Sequence, residues 1–336
     1  MNEPVIAVNN LSKVFQLKQQ QTGFWRRARS LFAPTMHTVV AVDAISFAVQ
    51  PGECLAFIGP NGAGKSTVIK MLAGIMTASE GTVRVLGLDP AEHRQKLAYH
   101  IGTVFGQRSQ LWYHLCPLDT YNLLSRLYEL DRKAYEERLN FLVQSFEIGD
   151  LLKTPVRKLS LGQRMRCEIV ASLLHRPKVI FLDEPTIGLD VIAKEQIRDV
   201  IRFLNHEEKV TIFLTSHDAG DIEALAQRTI VINHGRLIFD DSTEKLKKNF
   251  ITTKVVELIA EEPIKTFTFE GGKILDRGKH SIKIELDPTK VSLDALMSYA
   301  LGAFSIKDIN IYDPPMEEII AHIYQTDVPH DDQKNS

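Results

Sequence analysis

Apolar residues in this chain fall into two kinds of run. Short, nearly unbroken ones, Glu53 to Ile58, Val179 to Leu182 and Val210 to Thr215, have the length and composition of strands buried on both faces of a parallel sheet. Val5 to Phe15 and Val39 to Gln50 alternate more loosely and predict strands, the first of them at a sheet edge. Ser79 to Gly87 predicts a turn and a strand, and Leu97 to Phe105 one more. Spacings of three and four predict helices over Leu118–Leu130 and Lys133–Phe146, and the segment Lys158 to Arg166 is followed by a helix to Leu174. Strands that alternate with helices in this way predict an α/β domain. That domain spans 1–240, with a helical insertion over about 108–175.

Between Asp241 and Asn249 the chain turns polar and lysine-rich, which predicts a boundary. Beyond it, strands are predicted over Lys254–Ile259, Ser281–Leu286 and Ser305–Tyr312, and helices over Val291–Leu301 and Met316–Tyr324. This is the pattern of a small α+β domain over 250–325, followed by a polar tail, 326–336. One stretch stands apart. Gln19 to Phe32 starts polar and continues as Phe24-Trp25-Arg26-Arg27-Ala28-Arg29-Ser30-Leu31-Phe32, a short basic and aromatic helix by its spacing. It fits a solvated insertion with an apolar anchor, or a contact with lipid headgroups or a membrane partner.

Composition narrows the class. With 44% hydrophobic and 24% charged residues over 336 positions, the chain is an ordinary globular protein large enough for two domains. Its formal net charge of −2 provides no global basic field, so nucleic acid is not expected as a partner. Three cysteines, Cys54, Cys116 and Cys167, lack the spacing of a disulfide framework or a zinc site and suit a reducing compartment. No apolar run reaches the roughly 18 residues of a membrane span, and the acidic, polar start does not suit a secretory signal. The expected location is the cytoplasm.

The chemistry gathers around Gly59-Pro60-Asn61-Gly62-Ala63-Gly64-Lys65-Ser66-Thr67. A buried strand precedes this run, and Val68 to Ala73 after it reads as a helix, the context a phosphate-binding loop requires. Its glycines let backbone N–H groups turn toward phosphate oxygens at the positive end of the helix. Lys65 is placed to reach the β- and γ-phosphates, and the Ser66 hydroxyl to take a Mg²⁺ position. Three other strands end in polar residues. Asp183 is a candidate Mg²⁺ ligand, and Glu184 beside it can orient and deprotonate a water. His217 can donate to a γ-phosphate as charge develops, and the Gln107 amide can bridge metal or water to whatever covers the site. In open α/β sheets, ligands collect at this carboxyl edge.

Taken in order, the phosphate loop, Gln107, Leu159-Ser160-Leu161-Gly162-Gln163, Asp183-Glu184, Gly188-Leu189-Asp190 and His217 resemble the ATPase subunits of ATP-binding-cassette (ABC) transporters over roughly residues 4 to 240. The resemblance implies a P-loop NTPase core with an antiparallel β subdomain and the helical insertion, and ATP with Mg²⁺ as ligands. It implies a dimer of two copies in which Ser160, Gly162 and Gln163 of one face the nucleotide of the other, with Asp190 at the seam. Family signatures carry glycine where this chain has Leu161, so Leu161 is expected to point away from nucleotide. The family stacks an aromatic residue on adenine, and the candidate here is Phe15, far upstream of the loop. The Pro185-to-Asp190 run and the C-terminal appendage, with Ile309-Asn310-Ile311-Tyr312-Asp313-Pro314-Pro315-Met316-Glu317-Glu318 near its end, are similar to ATPases of drug, sodium and polysaccharide exporters. Those work with a separate membrane permease, for which Leu111-Trp112-Tyr113-His114 is the candidate docking segment, and sit peripherally on the cytoplasmic face of the membrane. The alternative is a soluble ABC-type ATPase acting on the ribosome or nucleic acid.

Overall fold

A single row of backbone pairs aligns the strand ends on which the candidate chemistry sits. In the computed structural model, Phe105 pairs with Asp183, Asp183 with Thr215, and Thr215 with Phe57, all in parallel register. The structure describes residues 3–18, 36–106, 109–250, 253–264, 266–314, 320 and 323. It divides into two units, Met1–Ser242 and Thr243–Ser336.

In the first unit, β1 (Ile6–Lys18), β2 (Met36–Val49), β3 (Cys54–Ile58), α1 (Lys65–Leu72), β4 (Glu80–Val85), α2 (Arg94–Ala98) and β5 (Ile101–Phe105) come first. The helices α3 (Pro117–Leu127) and α4 (Arg132–Ser145) follow, then α5 (Leu161–Leu173), β6 (Val179–Asp183), α6 (Val191–His206) and β7 (Thr211–Thr215). The unit closes with α7 (Ala219–Leu225), β8 (Arg228–Asn233) and β9 (Arg236–Ser242). Six strands form a sheet in the order β5-β6-β7-β3-β8-β9, parallel except for the β8–β9 hairpin, and β2-β1-β4 form a separate antiparallel sheet.

The unbroken apolar runs follow from this layering. Leu55, Phe57, Phe181 and Phe213 face the antiparallel sheet, where Phe57 and Phe213 lie 5.3 Å apart between ring centroids and Phe47 packs on both. Ile180, Leu182, Ile212 and Leu214 face the opposite way, into a core shared with α5 and α6. The interior of each strand is therefore apolar on both faces, because each face has its own core.

Several sequence expectations need adjusting. Leu97 is not in a strand. It is a buried residue of α2, and the strand starts only at Ile101, after the exposed Tyr99 and His100. The polar stretch 241–249, read as a boundary, contains the division between the two units, and there β9 runs to Ser242 and a helix begins at once, with Leu246 fully buried among its lysines. The readings of Gln19 to Phe32, most of the helix Met316–Tyr324 and the tail fall outside the described residues.

The second unit contains α8 (Thr243–Phe250), β10 (Lys254–Ala260), β11 (Gly272–Arg277), β12 (Ser281–Leu286), α9 (Leu293–Ala303) and β13 (Ile306–Tyr312). Its antiparallel sheet has the order β11-β12-β10-β13. Val256, Leu258, Ile282, Ile284 and Leu286 pack with Leu296 and Ala300 of α9 into a core of its own.

Candidate functional site

Glycine geometry shapes the loop between β3 and α1. Gly62 and Gly64 have φ of 83° and 108°, in the left-handed region that other residues avoid. A Cβ on Gly64 would stand 2.5 Å from the Ala41 carbonyl oxygen, and one on Gly59 would stand 2.3 Å from that of Ile232. The loop is thus packed between β2 and β8, while the space above Gly62 is open. Gly64 caps α1, whose first residue is Lys65. Lys65 Nζ donates to the carbonyls of Gly59 at 2.6 Å and Pro60 at 3.1 Å, so the ammonium lies over the loop. Burial pulls this ammonium below its ordinary pKa, and the negative charges of Glu184 and Asp183 oppose that shift. Asn61 is exposed, Ala63 is buried against the core, and Ser66 and Thr67 are half-buried on the first turn of α1.

The neighbouring strand ends complete the site. Ser66 Oγ donates to Asp183 Oδ1 at 3.3 Å, and Thr215 Oγ1 donates to the same oxygen at 2.7 Å. Glu184 then leaves the strand with φ of 55°, held by bonds from its N–H to the Thr215 carbonyl (3.0 Å) and hydroxyl (3.2 Å). Its carboxylate Oε2 lies 3.4 Å from His217 Nδ1. Lys65, Ser66, Asp183, Glu184 and His217 are therefore drawn together at one sheet edge. Sequence reading had not picked out Thr215. The available signal was a hydroxyl residue at the end of an apolar run, two positions before the histidine.

Two hard oxygen donors, Ser66 Oγ and Asp183 Oδ1, face each other at the foot of the loop, and such a pair suits Mg²⁺. Among the described residues no group of three or more His, Cys, Asp or Glu side chains could hold a metal by itself. A small cation here needs further oxygens from a phosphate and water, as Mg²⁺ at nucleotide sites does.

Other candidates sit elsewhere. Ser160 is the N-cap of α5 in a capping box, its Oγ accepting from the Gln163 N–H at 3.2 Å and its own N–H donating to Gln163 Oε1 at 3.0 Å. A Cβ on Gly162 would come within 2.9 Å of the Ala193 Cβ, at the start of α6. Among the described residues no hydrogen bond or ion pair joins Ser160, Gly162 or Gln163 to the phosphate loop of the same chain. Leu161 has an ordinary helical backbone and leans on the Gly188 turn, where a Cβ would lie 3.3 Å from its Cδ2. Asp190 caps α6 by accepting from the Ala193 N–H at 2.8 Å.

Phe15 is half-buried near the end of β1, paired with Val39 of β2 and with the Lys13 ammonium 5.3 Å from its ring centre. The Gly64 position abuts Ala41 and Val42 of that same strand. Strand pairing thus brings Phe15 back toward the loop despite the long separation in sequence. Gln107 lies outside the described residues. Trp112 and Tyr113 are exposed, at 48% and 59%, beside the buried Leu111.

A family described as ABC transporter matches residues 42–187. The ABC transporter ATP-binding protein NatA of Bacillus subtilis is 32% identical over 215 residues, 64% of this chain and 87% of that protein. The daunorubicin/doxorubicin resistance ATP-binding protein DrrA of Streptomyces peucetius is 35% identical over 209 residues, 62% of this chain and 63% of that one. Nod factor export ATP-binding protein I of Neorhizobium galegae is 33% identical over 222 residues, again reaching 63% of its length. The chain thus spans somewhat under two thirds of these last two relatives. Among solved structures, a dimeric post-hydrolysis ATP-binding cassette, MJ0796, bound to ADP and phosphate shares the fold with a TM-score of 0.59 and 22% identity, covering 70% of this chain and 98% of that one.

Proposed function

This chain belongs to the ATP-binding subunits of ABC transporters, an ATP-hydrolysing family, and we propose that it is the engine of a two-component exporter whose membrane permease is a separate protein. The observation that carries this reading is the convergence of Lys65, Ser66, Asp183, Glu184 and His217 on the carboxyl ends of β3, β6 and β7. Among the described residues no helix is long and apolar enough to cross a membrane, so coupling to transport runs through a partner.

ATP docks with its phosphates on the loop amides from Gly59 to Thr67, and Lys65 turns from the Gly59 and Pro60 carbonyls to the β- and γ-phosphates. Ser66 and Asp183, joined by Gln107, are the residues that would hold Mg²⁺, which when bound would supply positive charge to neutralise the phosphates. Glu184, turned out of the strand by its left-handed backbone, orients a water and takes its proton. His217, beside it, donates to the γ-phosphate as negative charge builds. Phe15 supplies an aromatic face for adenine.

Ser160 and Gly162 are exposed or half-buried at the positive end of α5, and Gln163 holds that end in shape. A second copy's γ-phosphate fits this anion-binding terminus, which gives a dimer with two ATP at its interface. Closure then depends on the γ-phosphate and reverses when it is cleaved. Trp112 and Tyr113 offer the aromatic anchor for the permease, which places the subunit on the cytoplasmic face of the membrane. Nod factor export, in the name of one relative, favours export as the direction of transport.

Phosphate release by the unmodified chain and by Glu184→Gln tests the reading. Turnover should fall roughly 10²- to 10⁴-fold with ATP binding kept. A variant that hydrolyses ATP at the unmodified rate removes Glu184 from this role.

A further inference from the structure

Asp221, on α7, carries a carboxylate with no exposure at all. Its Oδ2 accepts from Ser216 Oγ at 2.8 Å and from Thr186 Oγ1, and its Oδ1 accepts from Arg198 Nε at 2.8 Å. Thr186 stands two residues after Glu184, and Ser216 one residue before His217. Both hydroxyl residues are themselves buried, at 3% and 1%. One oxygen atom therefore fastens the turn leaving β6 to the turn leaving β7.

The fastening extends to the other flank of His217. Arg198 Nη2 donates to Asp218 Oδ1 at 3.0 Å, and Lys194 pairs with Asp218 Oδ2. Lys194 and Arg198 both belong to α6, which starts beside Asp190. The His217 side chain is 56% exposed, so little packing holds the ring in place. Its position comes from Ser216 and Asp218, each tied to this network.

Fold stability alone asks only that a buried carboxylate be paired, and Arg198 meets that need. The two hydroxyls answer a different need, because they come from the two turns that carry Glu184 and His217. We infer that Asp221 is a positioning residue for hydrolysis, setting the spacing between Glu184 and His217 by binding Thr186 and Ser216 to one carboxylate oxygen. The inference rests on the proposed roles of Glu184 and His217. Through Arg198, the same carboxylate links this spacing to the helix that leaves Asp190.

The test uses the full chain with Asp221→Asn, Thr186→Val and Thr186→Ser. Steady-state phosphate release gives kcat and KM, and a non-hydrolysed ATP analogue gives nucleotide affinity. Asp221→Asn and Thr186→Val are expected to lower kcat roughly 10- to 100-fold, the scale of a displacement of about 1 Å between reacting groups. KM and analogue affinity should stay within about 3-fold, and Thr186→Ser, which keeps the hydroxyl, should restore kcat. If Asp221→Asn does not fold, the Thr186 pair decides alone. Unchanged kcat in Thr186→Val, or a fall matched by an equal loss of nucleotide affinity, overturns the inference. If the unmodified chain releases no phosphate, the proposed function falls and takes this inference with it. Normal turnover in the unmodified chain and in the variants alike removes the inference only.

Discussion

At the scale of single residues, the site depends on hydroxyls as much as on charges. Thr215 donates to Asp183 and also accepts from the Glu184 N–H, so it sets the two acids relative to each other. Thr215→Val keeps the shape but removes both bonds in a fully buried position. A loss of about 1–3 kcal/mol is expected, because a buried amide and a carboxylate oxygen each lose a partner. The midpoint of urea unfolding measures it, and an unchanged midpoint would show that water replaces the hydroxyl. The nine-residue loop from Gly59 to Thr67 was legible because its glycines are demanded by backbone geometry, and that demand is written in the residue type. Thr215 was not legible, since a threonine at the end of a strand is common and its partners come from distant parts of the chain. Leu161, where the family carries glycine, costs nothing in backbone strain, because it opens a helix with ordinary dihedrals and rests on Gly188.

At the scale of elements, register does the work of assembly. Parallel pairing in step brings Asp183, Thr215 and Phe57 level, so residues far apart in sequence reach one edge together. The apolar runs made β3, β6 and β7 legible. α6, β8 and β9 were missed, since α6 mixes charges with its apolar stripe and β9 is half-exposed with little alternation. The ion pairs between α6 and Asp218, the residue that caps α7, carry a pH dependence. Burial alone would raise the Asp218 carboxyl, but Lys194 and Arg198 outweigh it and hold the pKa below the usual value. The native state then binds fewer protons than the unfolded chain, so this contribution is complete above about pH 4, the unfolded carboxylate value, and drains as pH falls through the lower folded value. Asp218→Asn should therefore unfold at lower urea than the unmodified protein at pH 7, with the gap closing toward pH 2. A gap that persists unchanged in acid would separate the stabilisation from Asp218 ionisation.

At the scale of the whole molecule, the proposed nucleotide site calls for a second anchor on the γ-phosphate, supplied by another copy. Leu161 and Gly162 lie against the Gly188-to-Ala193 stretch of their own chain, and among the described residues no hydrogen bond or ion pair joins Ser160 or Gly162 to its phosphate loop. Beside them Val191 and Ile192 are 82% and 75% exposed, an apolar edge that a second copy would cover. The proposed dimer comes from resemblance alone, because no property of one chain's sequence states how two copies meet. The most direct measurement is the mass in solution of Glu184→Gln, with and without ATP and Mg²⁺, by sedimentation or light scattering. The expected result is one copy without nucleotide, two with it, and one again when Ser160→Arg is added. A Glu184→Gln protein that binds ATP yet stays a single copy would contradict the account, as would a dimer indifferent to both ATP and Ser160→Arg.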